Sequence, residues 1–224
     1  MIAHHPPRNA KGIAHHPDEA LLLDYASGAA GVALALVVAT HLTFCAQCHD
    51  AVSTMEMMGG ALLETTLPVA VQHDALNRAL ARLDGIAPFD RPRRAVSRDN
   101  TPAPLRAWLG GDLSAVRWRA MGPNLSYAPL FQRGPVKVRL LRGTPGTDPG
   151  RHSHRGLEYT LVLKGGYTDV TGAYGPGDVQ VADDSILHSP VADPGEDCIN
   201  LAVTTAPLSF ESLLGKIAGP LFGF

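Results

Sequence analysis

The chain has 224 residues, of which 45% are hydrophobic, and its net charge is −2 at pH 7. This length allows one large domain or two smaller ones, each with its own core. A nearly neutral charge argues against general nucleic-acid binding. Three cysteines are too few for a disulfide framework, which favours a reducing compartment.

Two stretches bear on membranes and export. The apolar run Ala29–Ala39 is too short to cross a bilayer and ends at Thr40 and His41, so it indicates a buried helix. Residues 1–14 lack the apolar core of a signal peptide and are predicted to be a disordered lead. We therefore predict a cytoplasmic protein that contacts neither a membrane nor nucleic acid directly.

Residues 15–85 have helical periodicity and helix-boundary residues. Pro17 suits the first position of a helix that Gly28 ends, and Asp74 caps a helix that Gly85 ends. Four helices are predicted, at about 17–28, 31–41, 45–64 and 74–85. Between His16 and Asp84 the chain carries eight acids and two bases, which would complement the field of a basic protein partner. Acids that merely solvate helix surfaces would give the same pattern.

The second half of the chain has a different pattern. Residues 86–105, rich in Pro and Arg, are predicted to be a linker. Residues 106–207 alternate between apolar and polar positions and contain Gly and Pro turns, which indicates a sandwich or barrel. The predicted strands are 116–120, 136–140, 159–163, 167–170, 178–181 and 198–203. Residues 208–224 form an apolar tail that must dock on the barrel or on another chain.

A metal-binding motif lies at the start of the third predicted helix. Cys45 and Cys48 are three residues apart, so both sulfurs lie on one face of the first turn. The helix N-terminus stabilises thiolates, the form that binds metals. His41, four residues before Cys45, reaches the same point. Zinc takes four N or S donors, and the best candidate for the fourth is His16, just ahead of the first helix.

Two other hypotheses compete for this motif. A thioredoxin-like CxxC is disfavoured, because no βαβ pattern surrounds it. Cys45–His49 also matches the CxxCH signature of c-type haem attachment, with Met55, Met57 or Met58 as possible axial ligands. That attachment occurs in exported proteins, and the N-terminus shows no export signal, so zinc is the leading hypothesis.

A second group of metal-binding residue types lies in the predicted β region. His152 and His154 are two apart on a strand, so their side chains point to the same face. Glu158 is a further four residues along and is therefore expected on that face as well. His188 would come from a facing strand. Three imidazoles and a carboxylate leave coordination positions open and suit zinc, iron, manganese or nickel. An open metal site also allows an enzyme hypothesis, although no nucleophile or acid–base pair in the sequence marks catalysis.

These residues carry a family resemblance. Gly146-x5-His152-x-His154-x3-Glu158-x6-Gly165 resembles the first cupin motif. Pro176-Gly177-Asp178 followed by His188 resembles the second, without the Asn that usually follows the histidine. A cupin-like domain preceded by a helical segment with His16 and His41-x3-Cys45-x2-Cys48 is similar to the ChrR family of zinc-binding anti-sigma factors. The resemblance extends from about His15 to Thr205.

The resemblance implies a fold and a function. The expected fold is α+β in two domains, a small all-α zinc-binding domain followed by an all-β cupin (double-stranded β-helix) barrel. The helical domain would bind and inhibit an extracytoplasmic-function sigma factor, with zinc held by His16, His41, Cys45 and Cys48. The cupin would hold a second divalent metal through His152, His154, Glu158 and His188. Singlet oxygen or peroxide stress would trigger release of the sigma factor, and the protein would not be an enzyme. The alternative is a cupin metalloenzyme, of the dioxygenase or isomerase type, whose helical domain regulates or dimerises it.

Overall fold

The computed structural model describes residues 12–84 and 99–210. Expectations for 1–11, 85–98 and 211–224 lie outside the described residues. The helices of the described ranges are α1 (Glu19–Ala26), α2 (Val32–His41), α3 (Ala46–Glu64), α4 (Ala75–Asp84) and α5 (Ala103–Leu109). The four predicted helices are therefore confirmed, each within two residues of its expected bounds. Helix α5 lies across the boundary predicted at 105/106 between the linker and the barrel.

Helix α1 begins two residues later than Pro17, because Asp18 is its cap. The Asp18 Oδ1 atom accepts a hydrogen bond from the Leu21 amide at 2.7 Å, which satisfies one of the free N–H groups of the first turn. Helices α1, α2 and α3 share a small core. Its buried members are Leu21, Leu22, Val38, Cys45, Cys48 and Val52.

The later part of α3, the loop after it and α4 leave many apolar side chains in solvent. Only the first half of α3 contributes buried residues, Cys48 and Val52. We call the following set the exposed apolar surface: Met57, Met58, Leu62, Leu63, Leu67, Val69, Val71, Leu76, Leu80 and Leu83.

Residues 119–210, here called the β-domain, form antiparallel sheets. The strands are β1 (Arg119–Ala120), β2 (Leu125–Arg133), β3 (Val136–Gly143), β4 (His152–His154), β5 (Glu158–Lys164), β6 (Tyr167–Asp169), β7 (Gly172–Tyr174), β8 (Val179–Ala182), β9 (Val191–Ala192), β10 (Cys198–Thr204) and β11 (Leu208–Phe210). The largest sheet has the order β1-β2-β3-β10-β5-β8, and two smaller sheets have the orders β7-β6-β9 and β11-β4.

Helix α2 joins the helical core to the core of the β-domain. Its Leu36 and Val37 are buried in one cluster with Leu140, Leu161 and Leu201 from the large sheet. Its Val38 belongs to the core shared with α1 and α3. Burial of each such side chain stabilises the fold by about 1.5–3 kcal/mol. This two-sided burial explains why α2 is apolar nearly all round.

Several strands and boundaries differ from the sequence-based expectations. Strand β2 was not predicted, because Pro129 and a register shift between Pro129 and Phe131 interrupt its alternation. The strand predicted at 116–120 is confined to β1, since the chain before it forms a 3₁₀ turn at Leu113–Ala115.

The predicted ends of the lead and the barrel also shift. Within the lead predicted at 1–14, Ala14 donates a backbone hydrogen bond to the β-domain. The tail predicted to start at 208 begins instead with β11, which pairs with β4. No helix in the described ranges is both long and apolar enough to span a membrane.

Candidate functional site

The turn between α2 and α3 brings the residues of the HxxxCxxC motif together. Helix α2 ends at His41, whose carbonyl accepts hydrogen bonds from the amides of Phe44 at 2.8 Å and Cys45 at 3.0 Å. Cys45 then caps α3, and its sulfur accepts a hydrogen bond from the Cys48 amide at 3.4 Å. A tight local turn therefore places one imidazole and two sulfurs at the N-terminus of α3.

His16 completes this group, which we call the helical cluster. Its Nδ1 lies 3.4 Å from the sulfur of Cys45 and 3.4 Å from that of Cys48. One ligand atom from each of His16, His41, Cys45 and Cys48 lies within 4.8 Å of the other three. Two sulfurs and two imidazoles are the donor set of a closed tetrahedral site. The structure thus brings the four predicted residues together.

The hydrogen bonding of His41 fits a metal ligand. Its side chain is fully buried, and Nδ1 lies 2.7 Å from the Gly177 carbonyl oxygen. A carbonyl only accepts, so Nδ1 carries the proton and Nε2 presents a lone pair. That Nε2 is buried without a hydrogen-bond partner among the described residues. Burial lowers the pKa of His41, which keeps the ring neutral, as a metal requires.

The two sulfurs indicate the same chemistry. Burial, together with the hydrogen bond and charge of Cys45, raises the pKa of the Cys48 thiol to about 12. A buried thiolate pair without a cation would be strongly unfavourable, whereas a bound metal stabilises both sulfurs as thiolates. The donors therefore fit a divalent metal of the zinc type.

The same geometry disfavours the haem hypothesis. The sulfurs of Cys45 and Cys48 are buried and lie next to His16. His49, the histidine of the CxxCH match, is 62% exposed, with its Nδ1 3.6 Å from Asp50. Met57 and Met58 are also exposed.

A second cluster lies in the β-domain. His152 and His154 on β4 are buried with His188, and ligand atoms of the three lie within 4.8 Å of one another. A backbone bridge between His152 and His188 holds the two segments together, with N···O distances of 2.9 and 3.0 Å. The Nε2 atoms of His154 and His188 are 3.0 Å apart. We call these three residues the β-domain cluster.

Glu158 lies next to this cluster rather than among its converging atoms. Its Oε2 is 3.2 Å from Nδ1 of His154, on the other side of the ring from Nε2. Burial alone would raise the pKa of Glu158, but the contact with His154 and the nearby histidine charges lower it. The expectation that Glu158 is a ligand stays a prediction.

Asp169 is a functional candidate that the sequence analysis missed. Its buried Oδ2 lies 2.7 Å from Nδ1 of His188, and it also accepts a hydrogen bond from Gln180 at 2.8 Å. Despite its burial, these hydrogen bonds, and others from Thr171, lower the pKa of Asp169 well below its usual range. A carboxylate on the far nitrogen of a histidine fixes the ring's tautomer and orientation for metal binding.

His152 is oriented in a similar way by backbone. Its Nδ1 lies 2.8 Å from the Gly150 carbonyl oxygen, and burial lowers its pKa. Three converging imidazoles fit a divalent metal and leave coordination positions for further ligands. No sequence signal identifies Asp169, because it stands in a short hairpin between the two cupin-like motifs.

These observations define a class: a β-domain of cupin type with a histidine cluster, joined to a helical segment with a Cys/His cluster. The model of the ChrR cupin-like domain matches residues 109–208. The anti-sigma-E factor ChrR of Cereibacter sphaeroides is 43% identical over 211 residues, which cover 94% of this chain and 98% of that protein. The chain therefore belongs to the ChrR family.

A solved structure agrees with this assignment. The crystal structure of Rhodobacter sphaeroides SigE in complex with the anti-sigma ChrR contains a chain with 41% identity and a TM-score of 0.75. The match covers 86% of this chain and 99% of that chain. The expected α+β fold, a helical segment followed by a cupin-like domain, is confirmed.

Proposed function

We propose that this protein is a cytoplasmic anti-sigma factor that binds and inhibits an extracytoplasmic-function sigma factor. The observation that carries the proposal is its similarity, over nearly the whole length of both chains, to an anti-sigma factor. A related chain has also been crystallised in complex with a sigma factor.

The exposed apolar surface supports this proposal. Solvent-exposed apolar side chains are usually scattered, and a contiguous group of them marks an interaction site. Here they are concentrated on α3, α4 and the connecting loop, and residues 16–84, which include these elements, carry a net charge of −6. An apolar centre with acidic surroundings suits a partner with a basic, apolar-lined face, such as a DNA-binding protein.

We further propose that the two clusters are metal sites with different tasks. Zinc bound by His16, His41, Cys45 and Cys48 would fix the start of α3 relative to α1 and α2, and so orient the exposed apolar surface. The β-domain would hold a second divalent metal, zinc, iron, manganese or nickel, through His152, His154, His188 and Glu158. It would act as a sensor of singlet oxygen or peroxide rather than as an enzyme.

The binding proposal is tested with the purified full-length chain and the extracytoplasmic-function sigma factors of the same cell. Leu62→Asp and Leu80→Asp each place a charge in the exposed apolar surface. If these residues are central contacts, each substitution weakens sigma binding by about 30-fold, as expected for the loss of about 2 kcal/mol at a central contact.

Val170→Asp is the matched control, because Val170 is 79% exposed but lies in the β-domain. It should bind the sigma factor as the wild type does. If the wild type binds the sigma factor and both Leu62→Asp and Leu80→Asp bind it with the wild-type affinity, the interface lies elsewhere. Failure of the wild-type chain to bind any of the sigma factors would contradict the proposed function.

A further inference from the structure

The turn between β7 and β8, residues 175–178, contacts the helical cluster although it belongs to the β-domain. Gly177 supplies the carbonyl oxygen that lies 2.7 Å from Nδ1 of His41. That hydrogen bond selects the tautomer in which Nε2 of His41 faces the cluster. The partner that fixes one ligand of the helical site is therefore 136 residues away in sequence.

Asp178 holds the segment that carries the other histidine. Its Oδ1 accepts hydrogen bonds from the amides of Ala14 at 2.8 Å and His15 at 2.9 Å, immediately before His16. The next residue adds a backbone bond, since the Val179 amide donates to the His15 carbonyl at 3.0 Å. Three hydrogen bonds thus attach residues 14 and 15 to Asp178 at the end of the turn and to Val179 at the start of β8.

The same carboxylate also shapes the turn. Asp178 is buried, and its Oδ2 accepts a hydrogen bond from the Gly175 amide at 2.7 Å. One side chain therefore connects the conformation of the turn, and with it the Gly177 carbonyl, to the position of the His16 segment. A buried carboxylate in this place is costly unless its oxygens are hydrogen-bonded, and here both of them are.

The contact between the turn and the helical segment is too close for a side chain at Gly177. This residue has φ = +92°, and an added Cβ would lie 2.6 Å from Cδ1 of Ile13 and 2.8 Å from Cβ of Phe44. Glycine is thus required both by the backbone conformation and by the approach of Ile13 and Phe44.

We propose that the turn 175–178 is a positioning element of the helical metal site, with Asp178 and the Gly177 carbonyl orienting His16 and His41. The inference rests on the proposed metal site at the helical cluster. It makes that site a product of both parts of the chain, so that the β-domain sets how long the helical segment retains its metal. Support for ligands of this kind is typically worth about 10–100-fold in metal affinity.

The test uses Co²⁺ in the full-length protein, because cobalt bound to thiolates has a charge-transfer band that a site with nitrogen and oxygen ligands lacks. We expect Asp178→Ala to release cobalt from the helical cluster to a chelator about 10–100-fold faster than the wild type. Asp178→Asn keeps one acceptor oxygen and should have an intermediate rate. The control Asp197→Ala removes a carboxylate whose partner is Arg142, 2.5 Å away, and should release cobalt at the wild-type rate.

A folded Asp178→Ala protein that releases cobalt at the wild-type rate would overturn the inference. Absence of the thiolate band in the wild type would instead contradict the metal site itself, so the two failures are distinguishable. If Asp178→Ala does not fold, hydrogen exchange in the wild type decides. Binding is reciprocal, so metal at the helical cluster should slow exchange at the amides of Ala14, His15 and Gly175. Equal exchange with and without metal would also overturn the inference.

Discussion

The helical cluster and the β-domain cluster differ in donors and in the support of their histidines. The helical cluster has two sulfurs and two imidazoles, all converging within 4.8 Å. The β-domain cluster has three imidazoles and no sulfur. A closed set of four donors suits a structural metal, whereas three imidazoles leave positions for water, oxidant or another ligand.

The histidines are also held by different groups. In the β-domain cluster, His188 contacts the carboxylate of Asp169, and His152 contacts the carbonyl of Gly150, all within the β-domain. In the helical cluster, His41 depends on a carbonyl from the β-domain. The helical cluster is therefore complete in its ligands but relies on the β-domain for their orientation, whereas the β-domain cluster is supported from within.

The largest effect should follow from removing both sulfurs of the helical cluster. Cys45→Ser, Cys48→Ser should lose one equivalent of metal and keep the metal of the β-domain cluster. Loss of a metal present at about 1,000 times its Kd removes about 4 kcal/mol of stability. Metal analysis together with thermal unfolding of the full-length chain measures both effects.

Cys198→Ser provides the matched control for this variant. Cys198 is also a buried cysteine that forms no disulfide, but it lies on β10 in a different apolar cluster. We expect it to keep both metals. Unchanged metal content in the double variant would show that the helical cluster is not a metal site.

The parts of each cluster that could be predicted are those set by local sequence. His41, Cys45 and Cys48 lie on one helix–turn–helix, and His152 and His154 lie on one strand, so spacing alone indicated that each group converges. The helices of the first segment were predictable from the periodicity and boundary residues such as Asp74 and Gly28.

What could not be predicted depends on contacts between distant segments. The bond from His41 to Gly177 spans 136 residues, and that from His188 to Asp169 spans 19 residues across a hairpin. No sequence pattern marks Asp169, and the cupin-like motif that contains Gly177 does not indicate a contact with His41. His16 was a candidate by its position ahead of the first helix, and the family resemblance supported it, because nothing in its local sequence fixes its distance from Cys45.

The second prediction separates sensing from binding. Replacement of His152, His154 and Glu158 by Ala should remove the β-domain metal and leave inhibition of the sigma factor intact, since the exposed apolar surface lies on α3, α4 and their loop. If the β-domain is the sensor, the same variant should no longer release the sigma factor under oxidative stress.

A reporter gene driven by the sigma factor, read with and without a photosensitiser and light, measures both properties. Inhibition in the dark by the triple variant is the internal control for folding and binding. A normal light response in the triple variant would rule out this metal site as the sensor. Loss of metabolite turnover with normal release would instead favour the cupin-enzyme alternative.

The smallest effect concerns the pH dependence of metal affinity. In the metal-free protein, burial and the neighbouring Cys45 raise the pKa of Cys48 to about 12, so this thiol holds its proton at any neutral pH. A metal binds the thiolate and must displace that proton. The proton released by Cys48 alone should therefore make the metal affinity of the helical cluster rise about tenfold for each unit of increasing pH, and fall as the pH decreases.

The β-domain cluster should have a flatter dependence. Burial lowers the pKa of His152 below 6.5, so this ring is already neutral above that pH and releases no proton to the metal. Competition with a chelator of known pH dependence measures the helical cluster through its thiolate–cobalt band, and the β-domain cluster in the Cys45→Ser, Cys48→Ser variant. Cys48→His is the matched variant within the helical cluster, because it keeps four donors but removes the buried thiol. The slope of the logarithm of metal affinity against pH should therefore fall by about one, since one proton fewer is released on binding. Equal slopes for the wild-type helical cluster and for Cys48→His would show that Cys48 does not give up a proton to the metal, and the contrast between a thiolate site and an imidazole site would then fail.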